Sequence, residues 1–504
     1  MNNLKKSKLN LLVSLAYQVV AIAMGLIVPR ITLTSYGSET NGLLSSALQF
    51  VGYLTLFEAG IQAVATKSLY KTVGNDDKDG TNSILSAVNK NYKKIGVYYL
   101  LGLIVLSLVY PLFIDRNNLD YVTIVLVVLF SGLSNVVLFF FQGKYRILLQ
   151  VEGKNYFISL MNIITNIANH GIKIALLSLK VNIAIVVFGS FVASMIPAVI
   201  IMLYIKKKYK WIDLGVQPNF AALSQSKDAI IHQVSGMIFS STDTLLLTIF
   251  CDLKVVSVYV TYKLINDYIY SFAKIPFDSI SFKLGQLYNT EKDKFKQCIN
   301  TVELFTSNIF FILFTVTLCL TPTFVSLYTK GVEDINYADS KLAILFVMMQ
   351  LLNCMRNPML NTINYAGHYK QTLVPSIIET SINIVVSLVG VIFLGIYGGL
   401  LGTIVALLYR TGDIIIYANR KLLHRSPMRT FSYYIVEGIL TCAIYFLFNF
   451  LNLMIDTYLK FILVGVLLTV SVAIIFILIS CLVYREEFSF LRKNLLKNGG
   501  LFKR

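Results

Sequence analysis

Residues 156–177 read YFISLMNIITNIANHGIKIALL. A run of this length, folded as a helix, crosses about 30 Å of hydrocarbon. Its polar residues are not scattered: Ser159, Asn162, Asn166, Asn169 and Lys173 recur every three or four positions, with His170 alongside. That is the period of a helix with one polar face. Inside a membrane such a face turns toward other helices or toward water. The stretch therefore reads as a membrane span with an inward-facing stripe rather than as the core of a soluble domain.

Apolar runs of 18 or more residues recur on both sides of it. Fourteen are expected, at 9–29, 43–65, 95–114, 120–141, 156–177, 181–205, 228–250, 255–275, 302–328, 340–362, 373–394, 399–417, 431–451 and 459–483. Twelve is the alternative count if two of them lie in the interface. Backbone groups in lipid must bond within their own segment, so the spans are helices. The first run follows Lys5, Lys6 and Lys8, but it is too long for a signal-peptide core and lacks a small-residue cleavage site. The fold class expected is all-α and polytopic, with about fourteen transmembrane helices.

Composition agrees. The 504 residues are 56% apolar and 14% charged, with mean hydropathy +0.69, whereas a soluble domain is about a quarter charged. The 44 basic residues exceed the 26 acidic ones, giving a net charge of +18. Of the 44, 34 fall in alternate connections: the N-terminus, 67–94, 144–154, 206–227, 274–296, Lys370, 410–429 and the tail. By the positive-inside rule these lie in the cytoplasm, as do both termini. The expected location is a bacterial cytoplasmic membrane. Nucleic-acid binding is excluded, because no soluble stretch is long enough to form a basic domain. Six dispersed cysteines without a CxxC pair, and four dispersed histidines, give neither a metal site nor a disulfide framework.

Residues 159–178 also align with 376–395 (SIIETSINIVVSLVGVIFLG), pairing Asn162 with Glu379 and Asn166 with Asn383 at an offset of 217; upstream, Gly153 lies near Gly367 at an offset of 214. Each pair belongs to the fifth helix of a six-helix block, or precedes it. Two six-helix lobes follow, over residues 1–210 and 211–420, with two further helices and a basic tail over 421–504.

Two more spans carry stripes. One has Asn353, Asn357, Asn361 and Asn364, with Arg356 one position off; another has Tyr259, Lys263, Asp267 and Tyr270. Interhelical hydrogen bonding accounts for any single asparagine, but three stripes drawn from both lobes point to a hydrated cavity. Arg30, Lys173, Lys263 and Arg356 are the cations placed to clamp an anion such as a diphosphate, arginine by its planar fork and lysine as a point charge. Snorkelling is the simpler account of Arg30 and Lys173, and mutual neutralisation that of Lys263 with Asp267. Asn162, Asn166, Asn353, Asn357 and Asn361 are the expected polar lining. Glu58, Asp243, Asp267 and Glu379 are candidates for ion coupling, with a coupling cation, H⁺ or Na⁺, in place of any cofactor.

Residues 75–80 (NDDKDG) begin like an EF-hand loop, but position 12 is Ser86 and no second acidic cluster accompanies them, so they read as a solvated turn. The glycines of 395–402 (GIYGGLLG) have GxxxG spacing and read as a tight turn between spans.

Four runs together resemble the Wzx-type polysaccharide flippases, of the superfamily that also holds the lipid II flippases and the multidrug and toxin extruders. They are VPRITLTSYGSETNGLLSSALQFVGYLTLFEAGIQ (28–62), FFQGKYRILLQVEGKNYF (140–157), TDTLLLTIFCDLKVVSVYVTYKLI (242–265) and IETSINIVVSLVGVIFLGIYGGLLGTIVA (378–406). The resemblance implies a non-enzyme that flips undecaprenyl-diphosphate-linked glycan to the outer leaflet by alternating access. Its partners would be membrane lipids and the polymerase and glycosyltransferases of surface polysaccharide (O-antigen, capsule) synthesis. Arg30 sits where family members carry a basic residue in the first span. That span has no acid, unlike many multidrug extruders, which weakens the alternative of a cation-coupled small-molecule exporter. A membrane glycosyltransferase or polymerase is disfavoured by short outer loops.

Overall fold

The computed structural model describes residues 3–58, 61–114, 119–223, 227–485 and 487; the expected basic tail beyond them lies outside the described residues. Among the described residues the chain is helical, with no strand. It divides into two compact units, residues 1–257 with 331–335, and residues 258–330 with 336–504.

The first unit contains α1 (Asn3–Leu54), α2 (Ile61–Gly74), α3 (Lys78–Val109), α4 (Tyr121–Val137), α5 (Gly143–Val151), α6 (Asn155–Ser178), α7 (Ile183–Lys208), α8 (Lys227–Phe250) and the start of α9 (Leu253–Thr290). α6 packs between α1 and α7, and α4 closes the group against α7. The core runs through Leu43, Ala47 and Val51 of α1 to Val127 and Val128 of α4 and Ile201 of α7. Buried tyrosine hydroxyls find partners, as they must away from water: Tyr99 donates to the Gly132 carbonyl at 3.2 Å, and Tyr92 to Glu58 at 2.6 Å.

α1 holds the first expected span and the start of the second. They are divided by one residue rather than a loop: Gly37 (φ 82°, ψ 177°), a conformation that glycine alone adopts freely. The break leaves a new helix N-terminus, and Asp334 caps it, accepting from the Ser38 backbone N–H at 2.9 Å and the Ser38 hydroxyl at 2.6 Å. The acidic run at 75–80 is likewise a cap: Asp77 accepts from the Gly80 N–H at 2.8 Å and starts α3. After α7 the chain is strapped to α2 and α3. Asn82 donates to the Trp211 carbonyl at 3.0 Å, Ser86 to those of Leu214 and Val216 at 3.0 and 2.8 Å, and Ser68 to that of Ala222 at 2.6 Å.

The second unit contains the rest of α9, α10 (Lys292–Tyr328), α11 (Ser340–Met355), α12 (Asn357–Ala366), α13 (Leu373–Leu394), α14 (Ile396–Tyr417), α15 (Met428–Phe450) and α16 (Tyr458–Val483). α10 is central, packed on α11, α15 and α16. α13 and α14 form a close hairpin. The glycines expected to make its turn do more: Gly395 (φ 56°) turns the chain, while a Cβ on Gly398 would lie 1.9 Å from the Gly390 carbonyl oxygen, so the two backbones touch. α11 and α12 are interrupted at Arg356, because Pro358 has no N–H to offer the Cys354 carbonyl one turn back. α16 is apolar all round yet exposes Ile462, Val466, Val470 and Ile477, the pattern of a helix against lipid.

Thirteen of the fourteen expected spans fall on helices once α4 is taken with the π-helical stretch after it and α11 is joined to α12; the second, at 43–65, starts on α1 and reaches α2 across residues 59–60, which lie outside the described residues. Ten stretches among the described residues are long and apolar enough to cross a membrane on composition alone, and Val234–Phe250 of α8 is a shorter apolar one. α6 and α9 fall below that test because they carry polar stripes. The chain is a multi-pass membrane protein. The contact-based division also falls later than the repeat-based boundary at 210, since α8 packs on α1 within the first unit.

Candidate functional site

The expected site residues separate by unit: Arg30, Glu58, Asn162, Asn166, Lys173 and Asp243 in the first, Lys263, Asp267, Asn353, Arg356, Asn357, Asn361 and Glu379 in the second.

In the first unit, the stripe on α6 is engaged from α5. Arg146 donates through Nη2 to Asn162 Oδ1 at 2.6 Å, and Asn166 donates back to the Asn162 carbonyl at 2.9 Å. Sequence reasoning placed Arg146 in a cytoplasmic connection. It is half-buried instead, because α4 runs through a π-helical stretch, Leu138–Gln142, into α5 and carries Arg146 along the same rod. Glu58, expected as an ion-coupling acid, accepts the Tyr92 hydroxyl and serves as a core hydrogen-bond acceptor. Arg30 follows Pro29 on α1, half-buried; Lys173 is half-buried near the end of α6; Asp243 is buried on α8.

In the second unit the stripes of α9 and α11–α12 interlock. Gln350 donates to Asp267 Oδ1 at 2.6 Å and accepts from Asn353 at 3.3 Å; Asn357 donates to the Tyr270 hydroxyl at 3.2 Å, and Asn361 to the Asn357 carbonyl at 2.9 Å. Gln350 completes this strip and is absent from the expected set, although it lies one turn before Asn353 on the same face.

Arg356 has no acid within a turn of sequence, but the fold supplies one. Its Nη1 lies 2.6 Å from Glu379 Oε1, and Arg410 Nε lies 3.5 Å from Glu379 Oε2. Arg410 also pairs with Asp413 at 2.6 Å and donates to the Thr372 carbonyl at 3.4 Å. Two expectations change accordingly. Arg356 is not an isolated cation, and Glu379 is a counter-ion to two guanidiniums rather than an acid held open for a coupling cation. Arg410, assigned by sequence to a cytoplasmic connection, is 4% exposed on α14. The two arginines and two acids balance in charge, and Arg356, the one nearest the stripe, is partly exposed while Glu379 is buried. A guanidinium in that position offers donors to a phosphate or carboxylate that displaces its resident partner.

Among the described residues no group of three His, Cys, Asp or Glu side chains is arranged to hold a metal ion.

The sequence matches no family model and no curated protein. Its fold does have solved relatives. One, described as an inward-facing conformation of a multidrug resistance MATE family transporter of the MOP superfamily, superposes with TM-score 0.54 at 14% identity, over 84% of this chain and 98% of that one. An outward-facing conformation of a transporter so described gives 0.54 at 12% identity, over 85% and 96%. The MATE transporter ClbM in complex with Rb⁺ gives 0.51 at 16% identity, over 86% and 97%. At these identities the likeness is one of architecture: the chain has the fold of MATE transporters.

Proposed function

We propose that this chain is a membrane exporter that works by alternating access. The observation that carries the reading is the fold it shares, over most of its length, with transporters solved both inward- and outward-facing. Polar stripes on α6, α9 and α11–α12, in both units, supply the hydrated surfaces such a cycle needs.

For the substrate, the solved neighbours support a cation-coupled small-molecule exporter, two being described as multidrug resistance transporters and another as a MATE transporter in complex with Rb⁺. The reading as a flippase of undecaprenyl-diphosphate-linked glycan is favoured by a specific observation in this chain: Arg356 and Arg410 converge on one carboxylate, while the first span carries no acid. In it, Arg30, Lys173, Lys263 and Arg356 engage the diphosphate and the asparagines line the path of the sugar.

Two assays on one set of strains separate the readings. Rescue of surface polysaccharide in a flippase-deficient strain, lost in Arg356→Ala and Lys263→Ala with membrane levels unchanged, supports the lipid-linked substrate. Drug efflux without that rescue supports the small-molecule exporter. Neither activity, in a well-expressed protein, removes the exporter reading itself.

A further inference from the structure

α15 buries one face, Thr430, Tyr433, Tyr434, Glu437, Thr441 and Ile444, at helical spacing. Its polar members meet polar residues of α10. Thr430 donates to Glu303 at 2.7 Å, Ser307 donates to Glu437 Oε2, and Thr441 shares a 2.8 Å hydrogen bond with Thr315. The stripe starts at the connection between α14 and α15, where Arg425 pairs with Glu303 and binds Asn300 and Asn419. By the distribution of basic residues that end faces the cytoplasm. It continues inward to Glu437, seven residues along α15 from Thr430, about 10 Å at helical rise.

Glu437 differs from the other acids here. Glu303 has Arg425, and Glu487 has Arg429. Glu437 is 1% exposed and, among the described residues, has no basic group within ion-pair distance. Among the described residues its Oε1 has no hydrogen-bond partner. The titratable groups around it are Glu303 on α10, Tyr434 on its own helix, whose hydroxyl donates to the Met355 carbonyl of α11 at 2.7 Å, and Tyr484 beyond α16; Cys354 of α11 faces Tyr434. None is a cation. A buried carboxyl without a paired cation takes up a proton rather than hold a charge.

We propose that Glu437 is a proton-binding site, loaded and unloaded along the α10–α15 polar stripe, and that through it α15 takes part in driving export. The carboxyl carries the proton on Oε1 and keeps the Ser307 hydroxyl on Oε2. Release breaks the Oε1–H bond, leaves the electron pair on the carboxylate, and passes the proton toward the Glu303 end of the stripe. The site stands on its own geometry; only its use in export rests on the function proposed above.

The test is infrared difference spectroscopy, neutral against alkaline pH, on the full chain in phosphatidylethanolamine–phosphatidylglycerol vesicles. The expected result is a protonated-carboxyl C=O band that shifts in D₂O, is missing from Glu437→Gln, and moves in frequency in Ser307→Ala. A wild-type protein without the band, or a band unaltered by both variants, overturns the site. Ser307→Ala keeps the test open if Glu437→Gln does not fold. With the band assigned, pH-dependent export unchanged in Glu437→Gln overturns the role in driving export and leaves the proton site standing.

Discussion

Glu379 holds Arg356 through one carboxylate oxygen and faces Arg410 through the other, at 2.6 and 3.5 Å. The repeat-paired position in the first unit, Asn162, is held in the same way by Arg146. In both units an arginine from the fourth helix donates to the matching place on the fifth, and only the second unit adds a charge there. Glu379→Ala should cost about 3–5 kcal/mol by leaving the buried Arg410 short of a counter-charge. In a double-mutant cycle, Arg356→Gln with Glu379→Gln should lose less than the sum of the single changes. Thermal unfolding in detergent measures both.

The cap on the second half of α1 is local in effect. Asp334→Ala removes the acceptor of the Ser38 N–H and hydroxyl, and should lower stability by about 1 kcal/mol. Hydrogen exchange should quicken at Ser38 and the turn after it, with α13 and α14 unchanged.

The contact between α13 and α14 leaves no room at Gly398. Since a Cβ there meets backbone rather than a side chain that can move aside, Gly398→Leu should cost more than the roughly 1–3 kcal/mol of ordinary overpacking. Loss of the monodisperse peak in size-exclusion chromatography is the expected outcome; a normal profile and melting temperature would refute the close approach.

Beyond the last turn of α7, Tyr209 donates to Glu152 and receives Lys154. Burial, then the adjacent Glu152 carboxylate, push its phenol well above the usual tyrosine range. A raised folded-state value means stability is fully present below about pH 10, where the unfolded phenol titrates, and falls as pH rises beyond it. Tyr209→Phe should flatten that alkaline fall. Melting temperatures from about pH 9 to about pH 11, compared with the wild type, read the difference.

The helices were legible because apolar run length and a 3.6-residue period are local properties. So were the stripes of α6, α9 and α11–α12. What the sequence hid was partnership. Arg356 and Glu379 are 23 positions apart, and nothing along the chain marks them as neighbours. Arg146 and Arg410 were read only as topology markers for a related reason. Counting basic residues at a span's end treats them as loop residues, but here the helix continues and buries the guanidinium against an acceptor. The two spans on α1 were expected as separate, but not that one glycine, capped from residue 334, does the work of the loop between them.

The strap after α7 sets a mechanical limit. Between Lys208 and Lys227 the chain looks like a generous spacer, yet it is fastened to α2 and α3 as far as Ala222. The segment after α7 therefore moves as one body with α2 and α3, and to part from them it must first break the hydrogen bonds that two serines and an asparagine make to its carbonyls.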